Sequence, residues 1–192
     1  MIKHKKEWGF VHIPKNAGTS VRRAYSKKYG GSRGWAYRTI AKEGKHWPYS
    51  AWLELDEVET VHFICRNPWD RALSIYLWEL SWAGQVPLPD YHAILVKQGF
   101  KGAWMGELFK KERPGDPWRY SHTQVRWAEG CDQAVWWKQE YNMFELGVRL
   151  GLDIGRDNAT YHSNYRAYYD DELADYIGEL FKKDVERFGY EF

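Results

Sequence analysis

The chain has 192 residues, 44% of them hydrophobic, and a net charge of +2 at neutral pH. That length suits one domain with a proper core and leaves no room for two comfortable ones, so residues 1–192 are expected to form a single domain. No apolar run is long enough to span a bilayer and none follows the charged opening Met1–Glu7, so a soluble, cytoplasmic protein with no membrane partner is expected.

In chain order, Trp8–Ile13 is a short apolar run closed by Pro14, and Gly18 precedes a helical stretch from Thr19 to about Tyr29, which together read as strand, loop and helix. Gly30 to Lys45 reads as a surface loop. Thr60–Cys65 is a continuous apolar run of the kind a strand buried on both faces of a parallel sheet requires. It ends at Arg66, and Asn67-Pro68-Trp69-Asp70 then supplies an N-cap residue, a proline at the first helical position and a carboxylate three residues past the cap. Leu73, Tyr76, Leu77 and Leu80 recur at helical spacing, which carries that helix to about Trp82. From Ala83 to Gly130 the glycines and prolines predict short helices and long loops. Gln133–Trp137 reads as a third strand, followed by a helix through Phe144–Leu150 that stops at Gly151. At the end, Asp170-Asp171-Glu172 suits a helix N-terminus, and Leu173, Ile177, Leu180, Phe181, Val185 and Phe188 form one apolar stripe. Repeated strand-to-helix units predict an α/β fold with a central parallel sheet flanked by helices.

The small net charge hides an asymmetry. Residues 1–45 hold 12 Lys and Arg against 2 Asp and Glu, a net +10, whereas the remainder, with 16 against 24, carries −8. The basic residues flank a strand-loop-helix pattern and do not form a low-complexity tail, so a compact phosphorylated ligand is expected and nucleic acid is not. Cys65 and Cys131 stand far apart, outside any C-x-x-C pairing, and are expected to be plain buried thiols. Most of the 12 tryptophans are expected in the core or covering it, with a few lining an acceptor site.

The loop Pro14-Lys15-Asn16-Ala17-Gly18-Thr19-Ser20 lies between a buried strand and a helix, where backbone N–H groups and the helix dipole favour an anion. It is not a Walker A loop, because its lysine precedes the glycine. The second strand ends in Arg66, where a phosphotransferase of that class carries a metal-holding aspartate. A nucleotide with several phosphates, handled without metal, fits these residues. A nucleotide kinase-like phosphotransferase and a non-catalytic nucleotide-binding module are the alternatives.

Phe10–Ser20 resembles the 5′-phosphosulfate-binding loop of the sulfotransferases that use 3′-phosphoadenosine 5′-phosphosulfate (PAPS), and Phe63–Ser74 resembles their 3′-phosphate-binding segment. The likeness is greatest to the carbohydrate (heparan and chondroitin) branch, which often closes with a pattern like Tyr165–Leu173 followed by Phe188-Gly189-Tyr190. The resemblance implies a P-loop-like three-layer domain that transfers a sulfonate from PAPS to a hydroxyl or amine. It implies that Lys15 reaches the oxygen bridging sulfur and the 5′-phosphate, with Asn16, Ala17, Gly18, Thr19 and Ser20 around that phosphate. Arg66 and Ser74 would hold the 3′-phosphate. Asn16-Ala17 departs from the Thr-Gly of many members, and Ala17 restricts the backbone there. His46 falls where many members place the base for the acceptor proton, with Glu43 and Glu54 in reserve. His12 reads as structural. Trp47, Tyr49 and Trp52 beside His46 favour a sugar or phenolic ring as the acceptor.

Overall fold

The structure is a computed structural model that describes residues 2–4, 6–30, 48–51, 57–83, 89–106, 108–109, 121–155 and 162–192. The described residues fall in two compact units, one within Met1–Arg66 and Gln124–Ala159, the other within Asn67–Thr123 and Thr160–Phe192. Cys131, expected in the core, is only half-buried; Cys65 is buried. No helix among the described residues is long and apolar enough to cross a membrane.

The first unit is α/β. Its strands β1 (Ile2–His4), β2 (Trp8–Val11), β3 (Thr60–Cys65) and β4 (Ala134–Lys138) lie side by side in that order. β1 runs antiparallel to β2, while β2, β3 and β4 are mutually parallel. The β3 bounds match those read from its apolar run. β2 stops two residues short of Ile13, which stays buried as the chain turns into the loop. β1 escaped the sequence reading because three residues with a lysine among them carry no strand pattern. Helices α1 (Gly18–Tyr29) and α4 (Met143–Leu150) belong to the same unit, and α4 ends on Gly151 in the left-handed conformation that a helix C-terminus favours. Val21 and Ala24 of α1 with Leu146 and Leu150 of α4 pack in one core with Trp8, Phe10 and Ile64, residues of alternating strand period.

His62 sits in this core, pairs with Phe10 across the strands and is 0% exposed. Trp137 Nε1–H donates to its Nδ1 at 2.9 Å, so the ring proton is on Nε2, 3.2 Å from Thr60 Oγ1. Burial, with the nearby positive Arg149 second, lowers its pKa from 6.5 to about 4.

The second unit holds α2 (Pro68–Ala83), α3 (Pro89–Met105), a 3₁₀ turn Tyr165–Tyr168, α5 (Asp171–Leu180) and α6 (Lys182–Phe188). α2 begins as its sequence predicts, with Asn67 Oδ1 accepting from the amides of Trp69 at 3.0 Å and Asp70 at 3.3 Å. α3 is longer than the short helices expected between Ala83 and Gly130, and it kinks at Gly99, whose φ is 63°. The terminal stripe was expected to form one helix, but it forms two. Phe181 leaves helical geometry to stay buried, and the amides of Asp184 and Val185 turn back to its carbonyl at 2.8 and 3.0 Å, which starts α6. The Asp170 side chain caps α5 by accepting from the Leu173 amide at 2.9 Å.

Because His62 is neutral in the fold and binds a proton more readily when unfolded, stability should hold above pH 6.5 and fall as the pH drops toward 4. The total loss is about 3 kcal/mol. Denaturant titrations across that window should show the slope, and His62→Gln, which keeps an acceptor for the Trp137 N–H, should flatten it. An unchanged slope in the variant would assign the acid sensitivity to other groups.

Candidate functional site

The loop from β2 to α1 turns sharply through two residues that are not glycine. Lys15 has φ 66° and Ala17 has φ 54°, ψ 10°, both in the left-handed region that costs an L-residue about 1 kcal/mol or more. Such strain persists only where the surroundings impose it. The Asn16 side chain does so from between them: its Nδ2 donates to the Ile64 carbonyl at 2.7 Å and to Gln124 Oε1 at 2.5 Å. Asn16 is 1% exposed, and its buried Oδ1 meets no hydrogen-bond partner among the described residues. Ala17, where more backbone freedom was wanted, thus reaches the glycine conformation as an alanine.

Gly18 opens α1 because the His12 imidazole lies against it; a Cβ there would come within 1.9 Å of His12 Cδ2. Helix α1 has no side-chain cap and no acidic residue in its first turn. The Ser20 and Val21 amides close on the Ala17 carbonyl at 2.9 and 3.4 Å, while the Ala17, Gly18 and Thr19 amides meet no protein acceptor among the described residues. Three amides and the positive end of a helix dipole therefore converge on one turn, beside the half-exposed Lys15 and Thr19. Ser20 is buried.

Arg66 follows β3 directly and is 9% exposed. Its Nη1 donates to the Lys15 carbonyl at 3.1 Å, bringing a guanidinium onto the loop. Its own backbone is held on both sides by one residue: Gln124 Oε1 accepts from the Arg66 amide at 2.8 Å and Gln124 Nε2 donates to the Arg66 carbonyl at 2.9 Å. Lys15, Asn16, Ala17, Gly18, Thr19, Ser20 and Arg66 thus come together in the first unit. Ser74 belongs to the second, buried on α2. His46, Glu43, Glu54, Trp47 and Trp52 lie outside the described residues, and Tyr49, inside them, accepts from Gln133 Nε2 at 3.2 Å.

Not all the basic surplus of the first 45 residues serves this turn. At the far end of α1, Lys27 pairs with Asp153 at 3.3 Å and Lys28 donates to the Gly151 carbonyl at 2.5 Å, where cations suit the C-terminal dipoles of both helices. Arg33, Arg38, Lys42 and Lys45 lie outside the described residues.

The closing pattern of the chain has a place in the second unit. Asn67, the cap of α2, donates through Nδ2 to the Tyr165 hydroxyl and to the Glu191 carbonyl, both at 3.3 Å. Tyr169 donates to the Trp69 carbonyl at 2.7 Å, and burial beside the negative Asp70 pushes its hydroxyl pKa far up. His162 Nε2 lies 3.2 Å from Asp70 Oδ1. Gln124 and His162 were missed from the sequence. Each stands in a polar stretch without periodicity, and only the fold shows what it meets.

Asn16→Ala should lower stability by about 2 kcal/mol, because it strands the Ile64 carbonyl and removes a donor from Gln124. Thr19→Ala, at a half-exposed hydroxyl, should change it by less than about 0.5 kcal/mol. Chemical denaturation of both variants checks this, and equal effects would remove the latch role from Asn16. Comparison of the chain with known protein families, with curated proteins and with solved structures finds no match.

Proposed function

We propose that the protein is a PAPS-dependent sulfotransferase. The observation that supports this best is the β2–α1 turn: three amides without acceptors among the described residues at a helix N-terminus with no side-chain cap, with Lys15 in the turn and Arg66 bonded to its carbonyl. Such a turn suits a phosphate oxyanion. The resemblance of Phe10–Ser20 and Phe63–Ser74 to the two nucleotide-binding segments of that family narrows the anion to PAPS. The P-loop-like three-layer arrangement belongs to the same proposal.

When bound, PAPS supplies an activated sulfonate: an acceptor oxygen or nitrogen bonds to sulfur as the bond from sulfur to the 5′-phosphate oxygen breaks, releasing adenosine 3′,5′-bisphosphate. In this reading the Ala17, Gly18 and Thr19 amides and the Thr19 hydroxyl hold the 5′-phosphate. Lys15 meets the negative charge that grows on the bridging oxygen. Arg66 and Ser74 hold the 3′-phosphate, and His46 takes the acceptor proton, with Glu43 or Glu54 in reserve. The acceptor is a carbohydrate or phenol of small or moderate size, and the compartment is the cytoplasm.

Calorimetry in excess EDTA should detect adenosine 3′,5′-bisphosphate binding, and labelled PAPS should be turned over with a phenol or glycoside acceptor. Binding without turnover would leave a nucleotide-binding module; no binding would overturn the reading. Lys15→Ala should lower kcat by about 10²–10³-fold while weakening product-nucleotide binding much less, since its charge acts on the transition state. A variant that binds poorly but turns over normally at saturation would remove Lys15 from that role.

A further inference from the structure

We infer that Gln124 is a positioning residue for the nucleotide site, a side chain that fixes the β2–α1 turn and Arg66 relative to each other. The inference rests on the functional reading above and extends it to a residue that none of the sequence motifs contains. Gln124 is 0% exposed, and its side-chain amide bonds to both segments of that site. Its Oε1 accepts from both Asn16 Nδ2 and the Arg66 amide, and its Nε2 donates to the Arg66 carbonyl. One planar amide therefore sets the Arg66 backbone at the end of β3, from which the guanidinium reaches the Lys15 carbonyl, and also sets Asn16, which stands between the two left-handed residues of the turn. The partners are 58 and 108 residues away in sequence, so nothing local could hold them in register.

A glutamine is chemically apt here. Arg66 offers one donor and one acceptor on the same peptide segment, and Asn16 offers a second donor. A primary amide meets all three, with two lone pairs on oxygen and an N–H beside it. A carboxylate in its place would keep the two acceptor contacts, lose the donor to the Arg66 carbonyl and bury a negative charge beside the anion site. An aliphatic residue would lose all three contacts. Gln124→Leu neither touches the bound nucleotide nor adds charge, so its effect on affinity must pass through the turn and Arg66.

The test compares Gln124→Leu and Gln124→Glu with wild type for adenosine 3′,5′-bisphosphate affinity by calorimetry, with the folded fraction of each protein set by thermal melting at the same temperature. Leu150→Ala, a truncation in the core of the same unit and away from the turn, serves as the reference for general destabilisation. Among folded molecules, both Gln124 variants should bind at least about tenfold more weakly, the loss of roughly one well-placed polar contact, while Leu150→Ala binds as wild type does. If Gln124→Leu does not fold, Gln124→Met, equally uncharged and close to glutamine in length, takes its place. Gln124 variants that bind within twofold of wild type, or a Leu150→Ala that weakens binding equally, would overturn the positioning role. Failure of wild type itself to bind would instead overturn the functional reading.

Discussion

Two buried amide side chains, Asn16 and Gln124, decide the local geometry of the first unit at the end of β3. A parallel strand buried on both faces leaves its last carbonyls and amides pointing away from any ladder, and each needs a partner because burial without one costs about 1–3 kcal/mol. Here the partners are side chains from segments far away in sequence. The Ile64 carbonyl and the Arg66 peptide are satisfied by Asn16 and Gln124, so satisfying β3 and shaping the β2–α1 turn are one event. Lys15 and Ala17 remain in left-handed geometry because the alternative leaves Asn16 Nδ2 and the Ile64 carbonyl unmet inside the protein.

The electrostatics follow from that shape. A helix N-terminus normally receives a Ser, Thr, Asp or Asn cap, or acids in its first turn. Helix α1 has neither, although its far end carries Lys27 and Lys28 where the dipole favours them. Helices α2 and α5, by contrast, take Asn67 and Asp170 as caps in the ordinary way. The same chain can therefore cap a helix from its own side chains, and at α1 no side chain does so.

The elements that were legible in the sequence are those whose cause is local. β3 follows from an unbroken apolar run, the start of α2 from Asn67-Pro68-Trp69-Asp70, and the end of α4 from Gly151. The β2–α1 turn was legible as a connection between a strand and a helix, from Pro14 closing the apolar run and Gly18 preceding the helical stretch. What remained hidden depends on distant partners. The break falls at Phe181, buried and out of helical geometry, and the apolar stripe on either side gives no hint of it. Asn16 reads as a ligand-facing residue in its motif, yet its side chain points inward, because the residue that receives it is 108 positions later. His62 reads as one more member of a strand; its neutrality follows from its burial, and its tautomer from Trp137, 75 positions on.

Order of synthesis gives the parallel pairing of β3 with β4 a kinetic consequence. β2 and β3 are both available once Cys65 has been made, but β4 begins at Ala134. Until then one side of β3, an apolar strand with no proline and no charge, has no neighbour of its own to close it. Nascent chains at this stage present a sticky ribbon edge, the feature by which partly made proteins recruit one another. The thermodynamic cost of the long excursion is small, since closing a loop of doubled length adds only about 0.6 kcal/mol. The delay is the greater exposure: the strand that makes the sheet most secure once folded is the one that must wait longest for its cover.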